Sequence, residues 1–225
     1  MDIKDAVVVV TGASSGIGEA TARAAAERGA RVVLAARREE RIEHLAKELG
    51  QAVAVRCDVT DPVQVDALVR SALEAFGRVD VVVNNAGQGL QAGVEQVALA
   101  DFRALLELNL IAPLSVMQAV IPVMRAQGSG SLVNVSSGTT FANAPGTGAY
   151  VASKIALERL SAIARDELDQ TGITVSTIIP FATSTEFVTS LRAGQREAAA
   201  GLVGVDFDPP ERVAEAILEL VRSGA

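Results

Sequence analysis

A chain of 225 residues is long enough to bury one sizeable core, so a single domain spanning 1–225 is expected. With 49% hydrophobic and 21% charged residues it is not a disordered chain, and a net charge of −7 without a basic block argues against nucleic acid as a partner. One cysteine, Cys57, excludes an internal disulfide, and one histidine, His44, in a Glu/Arg/Lys-rich stretch, leaves too little for a metal site or a Ser-His-Asp hydrolase.

The N-terminus, Met1 to Asp5, has neither the basic start nor the small-residue cleavage site of a signal peptide. No apolar run approaches the roughly 20 residues that cross a bilayer. A cytoplasmic protein with no membrane partner is expected. β-rich apolar runs then alternate with helical periodicity. Strands are predicted near 6–11, 31–36, 52–56, 79–83, 131–136 and 173–179, and helices near 16–28, 39–49, 62–76, 101–126, 150–170 and 210–222. Runs such as Val7–Val10 and Val81–Val83 suit strands covered on both faces. The alternation predicts an α/β fold, a doubly wound parallel sheet of about six strands (a Rossmann fold), with no further C-terminal strand. Asp61-Pro62 reads as a helix cap followed by proline at the first helical position, and Gly29, Gly50 and Gly172 as helix closers. Segment 181–208 has weak periodicity and is read as a mobile loop or short helices over the site, a lid.

Thr11-Gly12-Ala13-Ser14-Ser15-Gly16-Ile17-Gly18 follows the first strand and opens the first helix. Glycines there permit a tight turn and close approach of a pyrophosphate, and the helix N-terminus offers free N–H groups. The second strand ends in Ala35-Ala36-Arg37-Arg38, where an NAD enzyme usually places an acid for the ribose 2′-hydroxyl. With no carboxylate to repel a 2′-phosphate and a guanidinium to pair with one, NADP(H) is favoured over NAD(H), and Arg37 over Arg38 as the contact.

Asn84-Asn85-Ala86-Gly87 follows the fourth strand, Ser136-Ser137 the fifth, and Tyr150-Val151-Ala152-Ser153-Lys154 opens a helix. With the glycine motif these resemble the short-chain dehydrogenase/reductase family over about residues 5–187, in its short single-domain branch. Tyr150 and Lys154, at i and i+4, share a helix face, where an ammonium is expected to lower the phenol's pKa. The resemblance implies a catalytic set of Asn109, Ser137, Tyr150 and Lys154. Tyr150 would act as acid–base group, Ser137 would hold the substrate oxygen, and Asn109 would hold a relay water. It implies cofactor contacts from Gly12, Ser14, Ser15, Gly16, Ile17, Gly18, Asp58, Val59, Asn85, Ala86, Gly87, Tyr150, Lys154, Pro180, Phe181, Thr183 and Thr185. Arg37 and Arg38 join them from the argument above. No metal is implied.

The family's Pro-Gly after the sixth strand is Pro180-Phe181 here, so the ring is expected near the nicotinamide or in the substrate pocket. Ser137, Gln88, Thr139, Phe141, Asn143, Phe181 and the 187–207 loop are candidate substrate residues by position, a mix neither clearly apolar nor clearly charged. The expected activity is hydride transfer between NADP(H) and a carbonyl/alcohol pair, as in a carbonyl reductase. The alternatives are an NADP(H)-binding sensor or scaffold without turnover, and an epimerase or dehydratase. Helices 101–126 and 150–170 are expected to pair across a two-fold axis in a homodimer or homotetramer.

Overall fold

The computed structural model describes residues 1–201, 204 and 206–224. Six strands form one parallel sheet: β1 (Val7–Thr11), β2 (Arg31–Ala36), β3 (Ala52–Arg56), β4 (Val81–Asn84), β5 (Gly130–Val135) and β6 (Ile173–Ile178). Their order is β3-β2-β1-β4-β5-β6, so the chain reverses direction between β1 and β4. In such a sheet the crevice beyond the carboxyl ends of those two strands is the place for a ligand. β1, β2, β4 and β5 are buried on both faces, except that Arg31 at the start of β2 is half-buried, which accounts for their unbroken valine and leucine runs.

Helices cover both faces: α1 (Gly16–Glu27), α2 (Glu39–Leu49), α3 (Pro62–Phe76), α4 (Leu99–Leu106), α5 (Ala112–Gln127), α6 (Gly148–Glu167), α7 (Gln195–Gly201) and α8 (Pro210–Ser223). One core joins α1, α2 and α8 to one face through Ala22, Ile42 and Ile217. The other joins α3 and α5 through Leu68, Val116 and Met124. Asp61 accepts a hydrogen bond from the Val63 amide at 2.9 Å with Pro62 beside it, as its cap pattern predicts. His44 lies on a solvated face of α2, paired with Glu48 at 2.9 Å.

Two expectations are corrected. The helix predicted over 101–126 is not uniform, because Glu107–Ile111 winds as a π-helix between α4 and α5. In addition, the helical run Leu99–Gln127 does reach the length and apolar composition of a bilayer-crossing helix. Its hydropathy has a local cause: Ala112, Val116, Met117, Val120 and Met124 pack on the sheet. It also carries Asp101, Arg103 and Glu107.

Candidate active site

The crevice between β1 and β4 is stitched by Thr11, whose hydroxyl accepts from the Asn85 and Ala86 amides at 3.0 and 3.1 Å. The Asn85 amide side chain donates back to the Thr11 carbonyl at 2.9 Å. This brings the glycine loop and the Asn85–Gly87 turn into contact. Gly12 has φ +67°, and a Cβ there would lie 2.8 Å from Asn85 Nδ2 and 2.9 Å from Ala86 Cα. Gly16 has φ +57° and would meet Thr185 Cγ2 at 2.9 Å. Only glycine leaves this backbone both unstrained and bare. Ser15, the N-cap of α1, makes no side-chain cap, so no side chain takes the first-turn N–H groups. The cleft above them has a volume of about 320 Å³ and is lined by Gly12, Ser14, Ser15, Gly16, Ile17, Arg37, Arg38, Asp58, Val59, Asn85, Ala86 and Gly87. Gly18 lies buried beneath it. Bare backbone at an uncapped helix N-terminus is a donor set that suits a pyrophosphate group.

At the far end both arginines line the cleft, and Arg38 is the one held against the glycine loop. Arg38 donates to Ser14 Oγ at 3.0 Å and Ser15 Oγ at 2.6 Å, whereas Arg37 is exposed and makes no side-chain hydrogen bond among the described residues. The expectation that no carboxylate stands here fails. Glu186, from the chain after β6, pairs with Arg38 at 2.7 Å and Arg41 at 2.9 Å, and both guanidiniums hold its carboxyl below the usual range. Asp58 turns inward to accept from Thr60 at 2.8 Å. Beside it Cys57 is buried, and burial, aided by the charges of Asp58 and Asp61, pushes its thiol up to about 11, which leaves it unreactive.

Beyond the carboxyl end of β5, Ser137 and Tyr150 lie together on the lining of one cleft, close enough for the serine hydroxyl to act on the phenol. The Thr139 amide and hydroxyl donate to Ser137 Oγ at 3.3 and 2.9 Å, which frees the Ser137 proton to point at a partner oxygen. Lys154 donates to the Val135 carbonyl at 2.8 Å, and its nitrogen lies 6.0 Å from the Tyr150 ring centre. The expected lowering of the phenol is absent. Burial raises Tyr150 to about 12, only partly offset by the Ser137 hydroxyl. Burial likewise lowers Lys154 to about 8, against the opposing charge of Glu158. At neutral pH the tyrosine is therefore a phenol and the lysine mostly an ammonium. Asn109, in the π-helical turn, is fully buried. It accepts from the Gln88 amide at 3.0 Å and donates to the Gln88 carbonyl at 2.9 Å and Ser153 Oγ at 3.1 Å, clamping the Gly87–Gln88 turn to α6. A π-bulge at such a position is characteristic of functional sites.

A second cleft, about 640 Å³, continues from the first through Ile17, Asn85, Gly87, Thr185 and Phe187. Ser137, Thr139, Tyr150, Lys154, Pro180, Phe181 and Thr183 line it. Gln88 faces the first cleft instead and holds the Ser190 carbonyl. Asn143 is exposed and lines neither, and Phe141 reaches the second only by stacking on Phe181. The lining corrects the reading of a mixed pocket: it is largely apolar, with Leu90, Ala142, Pro145, Val188, Leu191 and Phe207. In segment 181–208 the described residues include a 3₁₀ turn, Val188–Ser190, and α7, while Leu202, Val203 and Val205 lie outside them.

Several residues that hold the site escaped the sequence. Asn84 donates to Asn134 at 2.8 Å, and Asn134 to Ser161 at 2.7 Å, a buried relay fixing α6 to β4 and β5. Ser136 bonds Glu158, one turn beyond Lys154. Two asparagines closing otherwise apolar strands were the only visible sign.

Together the sheet, glycine cradle and Ser-Tyr-Lys constellation define a dinucleotide-binding oxidoreductase domain. Residues 6–196 match the family model described as short chain dehydrogenase, and the chain belongs to that family. It is 34% identical over 218 residues, 96% of its length and 90% of the relative's, to an "uncharacterized oxidoreductase" of Staphylococcus aureus strain MW2. Among solved structures it resembles a 3-ketoacyl-(acyl-carrier-protein) reductase from Brucella melitensis complexed with NADH. That match has a TM-score of 0.89 and 29% identity, covering 97% of this chain and 91% of that one. It also resembles an alcohol dehydrogenase from Thermococcus sibiricus complexed with 5-hydroxy-NADP. There the TM-score is 0.84 and identity 31%, with 96% of this chain and 90% of that one covered. The chain is thus an oxidoreductase whose structural relatives bind nicotinamide nucleotides.

Proposed function

We propose that the protein is an NADP(H)-dependent carbonyl reductase or alcohol dehydrogenase using Tyr150 as its acid–base group. The observation that carries this reading is the placement of Ser137, Tyr150 and Lys154 together on the lining of the second cleft, with Lys154 next to the Gly87 that both clefts share. When bound, the nicotinamide supplies or accepts the hydride. Ser137, its lone pairs occupied by Thr139, directs its proton at the carbonyl oxygen and stabilises charge developing there. Tyr150 rests as a phenol and gives its proton to the same oxygen in the direction of reduction. Lys154 keeps a positive charge near the phenolate that results. Asn109 positions the Gly87–Gln88 turn, which would help hold the cofactor where the two clefts join. Arg38, oriented by Ser14 and Ser15, and the exposed Arg37 beside it support selection of a 2′-phosphate, which would displace Glu186 from Arg38. Asp58 and Val59 would bound the adenine. Exposed Ile111 at the start of α5, with Ile155 and Ile163 on α6, supports a two-fold pairing of these helices, which light scattering would test.

The deciding experiment is titration with NADPH and NADH, read by nucleotide fluorescence in a chain with no tryptophan. It is followed by absorbance at about 340 nm against ketones, aldehydes and secondary alcohols. Tight NADPH binding with substrate-dependent oxidation supports the reading. Tight binding without turnover over a broad panel would favour the sensor alternative.

A further inference from the structure

The chain is poor in aromatic residues, 3% in all, yet four of its six phenylalanines gather at one place. Phe181, Phe187 and Phe207 line the second cleft, and Phe141 stacks on Phe181 with ring centres 6.5 Å apart and planes at 26°. Phe187 meets the Tyr150 ring at 5.6 Å, which places the cluster against the reacting group.

Phe181 and Phe141 are 68% and 70% exposed. Two stacked rings left that open at a cleft mouth keep apolar area in water that folding would otherwise remove. The Phe181 ring lies on the Gly138 backbone, where an added Cβ would come within 2.7 Å of it, and the Gly138 amide donates to the Pro180 carbonyl at 2.7 Å. The ring is thereby fixed one residue from Ser137 with its free edge over the cleft. Among the described residues the charged groups lining this cleft are Lys154, buried beside Tyr150, and Glu197. No free cation waits for an acidic substrate, and Glu197 repels one.

We infer that the substrate is an uncharged aryl ketone or aldehyde, its flat ring bound against the Phe181–Phe141 ledge while its carbonyl oxygen meets Ser137 and Tyr150. This rests on the reading of Tyr150 and Ser137 as the reaction centre. Aromatic pairs favour offset or tilted contacts and gain affinity beyond the area they bury, so a ledge of two rings selects for a third.

The test compares kcat/KM for 2-acetylnaphthalene and for butanone, with NADPH, in wild type, Phe181→Ala and Phe141→Ala. A second arm measures binding of 2-naphthamide, which is not reduced, by calorimetry on the NADPH complex. We expect wild type to favour the aryl ketone by about 100-fold, and each substitution to reduce that ratio by about 10-fold while weakening 2-naphthamide. A ratio that neither substitution moves overturns the inference, as does 2-naphthamide failing to bind wild type. If no ketone is consumed but 2-naphthamide binds and is lost on Phe181→Ala, the aryl site stands and the carbonyl-reductase reading fails. Both rings are exposed, so the variants fold, which thermal unfolding checks.

Discussion

The two clefts are built in opposite ways. The phosphate cradle is drawn from one run of eight residues, Thr11 to Gly18, closed by the turn at Asn85–Gly87. The second cleft is assembled from separated stretches, among them those around Gly89, Ser137, Tyr150, Phe181, Glu197 and Phe207. A contiguous motif is set by local backbone geometry alone. A cleft gathered from distant segments can change its lining without disturbing the sheet.

The sharpest way to break this division is at Lys154, where the halves meet. Lys154→Met removes the positive charge beside Tyr150 and lowers turnover by about 10³-fold, while thermal unfolding shows the domain intact. Gly16→Val strikes only the cradle. A β-branched residue at φ +57° whose Cβ meets Thr185 weakens nucleotide binding by about 100-fold in fluorescence titration. Arg38→Ala separates the two nucleotides. NADPH affinity falls by about 10–50-fold, the loss of a charge-assisted contact, and NADH affinity stays within about 2-fold. Equal loss for both would remove the 2′-phosphate from the account.

The smallest effects lie in the pH profile. Lys154 is an ammonium below about pH 8 and an amine above it. The kcat/KM for reduction therefore falls as pH rises through about 8. Glu158 opposes that loss of the proton. Glu158→Gln moves the falling limb to lower pH by less than about one unit, and a limb that stays in place would assign it to another group.

The sheet was legible because buried parallel strands read as unbroken valine runs, as at Val7–Val10, and because glycine spacing and the Tyr150–Lys154 pair are short-range patterns. What was not legible is non-local or depends on packing. Glu186 reaches Arg38 across 148 residues, so the sequence around Arg38 gave no hint of a carboxylate there. Asn84 and Asn134 pair across neighbouring strands 50 residues apart. The π-helical turn at Asn109 follows from small dihedral changes that side-chain periodicity does not record. The sign of the Tyr150 shift was misjudged because spacing places an ammonium near the phenol but says nothing of how deeply both are buried.

The account stands most directly on Tyr150→Phe, the deletion of one oxygen at a site already 8% exposed. NADPH affinity and carbonyl reduction should be measured on the same preparation. The account predicts unchanged affinity with a loss of turnover of about 10³-fold or more. A variant that binds NADPH and still reduces ketones at near wild-type rate would contradict it.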